Sequence, residues 1–363
     1  MRRLFLFAFY ACLLSAVLPA QSRTLAQPAQ GQPDRAYLSD PKYNSILEAA
    51  RQSEHKHQYN DALDGYKKAS KIAGGTSYTC LQKIYELEYQ TSDFKAALKT
   101  TDQMQSLAVT PREKSLAAGE RGAALLSQAG DKPKPAQLDA AHEAFQMALA
   151  ANAENNSARF HDACVLARMG KTDDAGKQFA RCADAASPSD PMRVRARHFA
   201  ENPLLSLEKM APAFEVTALD GSRFNLDTMQ GHVVLIDFWA TWCGPCNREL
   251  PHLKQITREF ADQPLVVISI SSDKDEAKWK DFVAKHEMTW VQYRDSDGAI
   301  GRNFGVQLIP SYFVVGSDGV MTTQRMGSDS DVEGRIRKLL KQAREDKLQK
   351  AVLKDSPGQI SGT

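Results

Sequence analysis

The chain lacks a charge imbalance. Its 363 residues carry 46 Lys and Arg against 44 Asp and Glu, a net charge of +2. No bulk electrostatic pull toward nucleic acid or acidic membranes is expected. The one local basic run, Arg193, Arg195 and Arg197, reads as a solvated helix face rather than a nucleic-acid patch. A long apolar run is missing too. The N-terminus has Arg2 and Arg3 followed by apolar Leu4 to Ala11, then Leu13, Leu14 and Val17. That is short for a membrane span, which needs roughly 20 apolar residues, and fits the charged and hydrophobic regions of a secretory signal. Residues 1–26 are therefore expected to be a signal peptide cleaved after Ala26, with Ala20 a second candidate and an uncleaved membrane anchor the alternative. The compartment is then periplasmic or otherwise extracytoplasmic, where thiols can stay oxidised. The mature chain would keep Cys80, Cys164, Cys182, Cys243 and Cys246.

Strand-like runs are absent from about Pro41 to Ala200, and aromatics are few there. After a Gln-, Pro- and Gly-rich leader at 27–39, the spacing predicts an all-helical domain over 40–200. A small–aromatic–small triplet recurs: Ala62, Tyr66, Ala69; more weakly Ala97, Thr101, Met104; then Ala141, Phe145, Ala148 and Ala175, Phe179, Cys182. The intervals are 35, 44 and 34 residues, and a period near 34 is that of paired antiparallel helices. The turn-rich Gly130–Pro135 accounts for the long interval, and Met169-Gly170-Lys171 reads as a tight inter-helix turn. These residues resemble degenerate tetratricopeptide repeats, which implies a surface for a protein partner; an irregular helical bundle is the alternative. Cys164 and Cys182 fall on the two helices of the fourth repeat. A disulfide there needs Cα atoms within roughly 7 Å. Cys182 takes the inward position and Cys164 lies one residue past it, so the pairing stays open.

The repeat pattern stops near Ser187–Pro191, a connector covers 201–206, and the sequence then changes character. Val233–Ile236, Leu265–Ile270 and Tyr312–Val315 are short β-branched runs suited to buried strands. Helical stretches at 247–260, 276–286 and 332–347 alternate with them, which predicts an α/β domain over 207–345. Leu219-Asp220-Gly221-Ser222 is a hairpin turn. Residues 346–363 read as a disordered tail.

Trp242-Cys243-Gly244-Pro245-Cys246 follows a predicted buried strand and opens a predicted helix. A thiolate at a helix N-terminus meets unpaired N–H groups and the positive end of the dipole, which lowers its pKa. Cys243 is the expected exposed, attacking thiol and Cys246 the resolving one. Pro245 falls in the first turn, where its missing N–H is harmless. Half of a zinc site is the first alternative, but no second Cys or His pair with ligand spacing stands nearby. An inert structural disulfide is the second. Asp237 lies in the apolar strand six residues before Cys243. Burial should raise its pKa and make it a proton acceptor for Cys246, unless it is a solvated strand-end residue. Glu249 is three residues past Cys246 on the same helix face and is either a second tuning carboxylate or an ordinary first-turn Glu. Pro251 should kink that helix. Ile309-Pro310 precedes a strand, and local sequence alone favours a trans bond there.

Phe238–Cys246, with Asp237 before, Glu249-Leu250-Pro251 after and Ile309-Pro310 downstream, resembles the thioredoxin superfamily, and within it the exported TlpA/ResA-like branch often grouped with AhpC/TSA-type redoxins. The resemblance covers roughly residues 207–345. It implies a thioredoxin fold with an added N-terminal β-hairpin and an insertion at Ser272–Trp290, a cis Pro310, catalytic roles for Asp237 and Glu249 beside the two cysteines, and a site in which Trp242, Gly244, Pro245, Ile309 and Pro310 meet the substrate. It implies a thiol–disulfide oxidoreductase that needs no cofactor beyond the Cys243–Cys246 disulfide, reduces disulfides of exported client proteins and draws electrons from a membrane donor. One departure stands out: the lysine that thioredoxin keeps near its buried Asp falls here near Ser269. A thiol peroxidase is the alternative, although no separate peroxidatic cysteine is visible. A repeat scaffold with a vestigial redox domain is the other.

Overall fold

The computed structural model describes residues 36–187, 190, 192–326 and 332–355; the expected signal peptide and most of the leader lie outside them. These residues divide into two compact units: 36–187 with 196–207, and 190, 192–195 with 208 onward. Among them no helix is long and apolar enough to cross a membrane.

The first unit is all-helical. After a short 3₁₀ turn at Ala36–Ser39 come α1 (Pro41–His55), α2 (Tyr59–Ile72), α3 (Tyr78–Gln90), α4 (Phe94–Leu107), α5 (Pro111–Ala129), α6 (Pro135–Ala151), α7 (Asn156–Arg168) and α8 (Thr172–Ala185). Side-chain caps start several of them: Asp40, Ser77, Asp93, Thr110 and Asn155 each accept a backbone N–H of the first turn, meeting donors that have no partner within the helix. All four recurring triplets lie on the second helix of a pair, and all twelve side chains are buried. Small residues there permit close approach. The Cα of Gly65 sits so near Ala50 that a Cβ would come within 2.7 Å of the Ala50 Cβ. Gly130 and Gly170, both at positive φ, turn the chain between α5 and α6 and between α7 and α8. No disulfide joins Cys164 to Cys182. The Cys182 thiol instead donates to the Asn156 carbonyl at 3.7 Å, and burial pushes it up to about 12.

The second unit is built on a five-stranded sheet in the order β5-β4-β3-β6-β7. Its elements are the hairpin β1 (Glu215–Thr217) and β2 (Arg223–Asn225), then β3 (Val233–Trp239), α10 (Gly244–Glu259), β4 (Leu265–Ser271), α11 (Glu276–Lys285), β5 (Val291–Arg294), α12 (Ala299–Asn303), β6 (Ser311–Val315), β7 (Met321–Met326) and α13 (Val332–Asp355); α9 (Met192–Glu201) precedes them. β3 pairs parallel with β4 and antiparallel with β6. Every residue of β3 is buried, as a central strand covered on both faces requires. One face, with Val234, Ile236 and Phe238, packs under the β1–β2 hairpin through Phe214 and Phe224. The other, with Val233 and Leu235, packs on α10 and α13 through Leu253, Ile256, Ile336 and Leu340. Gly221, at φ 84°, makes the hairpin turn. α13 runs to Asp355, past the expected domain end. Leu348 to Ala351 are good helix formers, and the Ser-Pro-Gly break comes only after Asp355; residues 356–363 lie outside the described ones.

Arg195 corrects the expectation of a solvated basic face. It is 1% exposed. Its guanidinium donates to Asp227 Oδ1 at 2.7 and 3.1 Å and to the Ala211 carbonyl at 2.7 Å. A spacing-two run of arginines on a helix cannot share one face, so one of the three was free to turn inward. Removing one partner of a buried pair strands the other charge. Arg195→Ala should therefore lower stability by about 3 kcal/mol, measured by urea unfolding, whereas Arg193→Ala should be near neutral.

Candidate functional site

The site forms where β3 ends and α10 begins. Apolar β3 delivers Trp239 and Ala240 to the edge of the sheet, and Cys243 becomes the N-cap of α10. Its sulfur accepts the Cys246 N–H at 3.2 Å. Cys243 and Cys246 are joined by a disulfide with Cα atoms 5.3 Å apart. Gly244 and Pro245 form the exposed first turn, and α10 runs on through Pro251. Cys243 is less open than expected: it is 5% exposed and Cys246 7%. Trp242 is 69% exposed beside them. Both cysteines pack in an apolar cluster with Trp239, Leu250, Trp279, Val283 and Met288, the last four from α10, α11 and the loop after it, and Ile309 lies against the same cluster. The Ile309–Pro310 bond is cis, as the resemblance and not the local sequence implied.

Asp237 is buried beneath the disulfide. Burial drives its pKa up to about 7, against a lowering hydrogen bond from Ser269. The β3–β4 register places Ser269 opposite Asp237, and Ser269 Oγ donates to Asp237 Oδ2 at 2.8 Å. Trp290 Nε1 donates to the same hydroxyl at 2.8 Å. A hydroxyl has one proton, so accepting from Trp290 leaves Ser269 free to donate to the carboxylate. A neutral donor thus stands where thioredoxin has its lysine. Asp237, Cys246, Leu250, Met288 and Tyr312 line a small cavity. Its space open to a water-sized sphere is ≈ 10 Å³, close to the room one water needs. Burial and the neighbouring Asp237 and Glu249 carboxylates raise the Tyr312 phenol above its ordinary value, so it stays a neutral wall.

Glu249 does not line that cavity. It is half-buried, with its carboxylate 3.8 Å from His252 Nδ1. One positioning group escaped sequence reading. Buried Asp273, just after β4, accepts from the Thr241 N–H at 2.9 Å, the Thr241 hydroxyl at 2.7 Å and the Ser271 hydroxyl at 2.6 Å. Asn247 Nδ2 returns from α10 to the Thr241 carbonyl at 3.1 Å. These bonds fix the loop that presents Trp242 and Cys243. The only hint in sequence was an Asp two serines beyond the β-branched run Leu265–Ile270, which also suits a solvated turn. Among the described residues no cluster of three or more His, Cys, Asp or Glu could hold a metal.

Comparison with known proteins agrees with this geometry. The Redoxin family model matches residues 207–340. The thioredoxin-like protein YneN of Bacillus subtilis is 30% identical over 123 residues, 33% of this chain and 71% of that protein. The chain belongs to the Redoxin family. The thiol-disulfide oxidoreductase ResA of Bacillus thuringiensis is 28% identical to it over 143 residues, 39% of this chain and 83% of that protein. The crystallised thioredoxin domain of a thiol-disulfide oxidoreductase from Bacteroides vulgatus is 25% identical, with 36% of this chain and 95% of that one covered and a TM-score of 0.34. The sheet order β5-β4-β3-β6-β7, with the cysteine pair between central β3 and α10, is that of a thioredoxin-fold domain, with the added β1–β2 hairpin before the sheet and α11 inserted between β4 and β5.

Proposed function

We propose that this redoxin is an exported thiol–disulfide oxidoreductase that reduces disulfides of extracytoplasmic proteins through Cys243 and Cys246. The observation that carries the reading is the convergence of a cysteine pair at a helix N-terminus with a buried carboxylate whose pKa lies near 7. In the reduced enzyme the Cys243 thiolate attacks one sulfur of a client disulfide. That S–S bond breaks, a Cys243–client bond forms, and the client's other sulfur leaves as a thiolate. Cys246 gives its proton to Asp237, directly or through one water, and attacks Cys243 Sγ. The client leaves with two thiols, and two electrons end on it; the enzyme holds the Cys243–Cys246 disulfide. Resetting it takes a dithiol donor, which in an exported protein must be reached at the membrane. The cis Ile309–Pro310 edge offers backbone to the extended client chain, and exposed Trp242 and Leu308 give that chain apolar contact.

The helical unit adds partner choice. It supplies none of the four chemical parts, namely thiolate, resolving thiol, proton acceptor and pairing loop. As a tethered surface it raises the local concentration of a bound partner. The deciding assay is reduction of insulin disulfides by the full chain with dithiothreitol as donor, run beside hydrogen peroxide consumption. Insulin turnover with negligible peroxide consumption supports the reading. Peroxide consumption without insulin turnover makes the chain a thiol peroxidase, and neither activity leaves a scaffold.

A further inference from the structure

We propose that His252 is a positioning residue for the resolving thiol: protonated, it draws the Glu249 carboxylate toward α13 and offsets its charge; neutral, it leaves that carboxylate bare beside the Cys246 cavity. This tunes the redox activity read above and rests on that reading, since Cys246 resolves a mixed disulfide only as a thiolate.

Helix geometry sets up the relay. Three residues along an α-helix turn it by about 300°, some 60° short of a full turn. Cys246, Glu249 and His252 therefore step round α10 by about 60° each, from the cavity toward α13. Cys246 lines the cavity with Asp237 and Tyr312. Glu249 stands at the next step. Burial, Asp237 and Glu249 together raise the Tyr312 phenol, so the Glu249 charge is felt at the cavity wall although its side chain does not line it. His252 takes the third step, half-buried between two carboxylates. Its Nδ1 is 3.8 Å from Glu249 Oε2, and its Nε2 is 3.7 Å from Glu333 Oε2 on α13. Both ring nitrogens face acceptors, and an imidazole donates from both only when it is protonated.

The other charges nearby are already matched. Arg337 of α13 donates to Glu333 Oε1 at 2.7 and 3.2 Å and pairs with Glu259 of α10. It holds the Glu333 carboxyl below its ordinary value, with His252 adding to the effect, so Glu333 is an anion across the neutral range. Among the described residues Glu249 has no ion pair other than His252. The titratable and charged groups around the pair are thus Glu333 and Arg337 from α13, Tyr312 from β6 and Asp237 from β3. Arg337 is shared by two carboxylates, so the task of offsetting Glu249 falls to His252. Imidazole is also the side chain that changes charge between pH 5 and 8. A carboxylate without its cation opposes a second negative charge close by, here the Cys246 thiolate.

The test reads the thiolate fraction at Cys246 as its alkylation rate in the reduced full chain carrying Cys243→Ser, with labelled sites assigned by mass spectrometry. Adding His252→Gln should slow Cys246 labelling about threefold at pH 5.5 and leave it unchanged at pH 8.5. His252→Lys, a permanent cation, should restore the rate at pH 5.5 and raise it at pH 8.5. Glu249→Gln should speed labelling at pH 8.5 with little change at pH 5.5, and in that background His252→Gln should have no effect. A His252→Gln deficit equal at every pH makes the imidazole a structural prop. A deficit that survives Glu249→Gln means that His252 acts on Cys246 without Glu249. Equal rates in all variants mean no coupling. Each of these overturns the proposal. Should the His252 variants not fold, Glu249→Gln still decides: acceleration equal at both pH values, or none, overturns it as well. Labelling needs no client, so a parent chain that fails to reduce insulin sinks the redox reading without touching this measurement.

Discussion

Cys243→Ser should lower insulin-disulfide reduction by about a thousandfold or more, to the uncatalysed background. Serine keeps the shape and the hydrogen bond from the Cys246 N–H, but its hydroxyl does not ionise near neutral pH and cannot cleave a disulfide. Cys246→Ala should behave differently. Attack still occurs, resolution does not, and a mixed disulfide with the client accumulates. Non-reducing gels of the two variants after incubation with a disulfide substrate separate the roles: a trapped adduct with Cys246→Ala and none with Cys243→Ser. The reverse pattern would exchange the two cysteines. In the reduced protein, alkylation at pH 6 should label Cys243 first. Its sulfur caps α10 and receives a backbone N–H, which favours the thiolate, while Cys246 lies one turn inside, against Asp237 and Tyr312.

Asp237→Asn should make the protein more stable and less active, and the two effects should share one pH dependence. Burial raises the carboxyl from 3.8 to about 7. A folded pKa above the unfolded value means that the native state holds the proton more tightly. Its stability is full below about pH 4 and falls as pH rises toward 7. Above pH 7 the buried carboxylate costs about 4 kcal/mol relative to a neutral group. Asn carries no such cost, so urea unfolding at pH 8 should show Asp237→Asn more stable by a few kcal/mol, with little difference at pH 4. Over pH 6 to 9 the variant should resolve mixed disulfides about a hundredfold more slowly, and the parent's rise in rate near pH 7 should vanish. Ser269→Ala removes a donor to the charged form, so it should shift that rise to higher pH without abolishing it. Rates for Asp237→Asn equal to the parent's across the range would remove Asp237 from proton transfer.

The costly carboxylate shows how far the sequence reaches. An Asp inside Leu235-Ile236-Asp237-Phe238 can only be buried if that run is a central strand, and the run's apolar character says that it is. The Cys-Gly-Pro-Cys turn carries its own geometry, because Pro245 starts a helix and Cys243 must then cap it. The triplets of the helical unit likewise follow from 3.6 residues per turn: spacings of four and three return to one face, and small residues on that face belong between helices. The edge strands were not legible. β5 and β7 are short and polar, with Gln292, Arg294, Thr322 and Thr323 among their residues, and they become strands only because β4 and β6 offer open hydrogen bonds.

Local sequence by itself determined the elements whose cause is local: capped helices, the buried central strand, the hairpin turn at Gly221 and the thiol at a helix start. Tertiary structure alone decided what depends on a partner far along the chain. Register across β3 and β4 brought Ser269 to Asp237, 32 residues away, and Trp290 reached in to the Ser269 hydroxyl. A loop from beyond β4 supplied Asp273 to Thr241. Arg195 turned inward because Asp227 and the Ala211 carbonyl were there to receive it. In each case the side chain's own chemistry allowed two fates, solvated or buried, bonded or not, and packing chose between them because a buried polar group is stable only where its partner is placed within hydrogen-bonding reach.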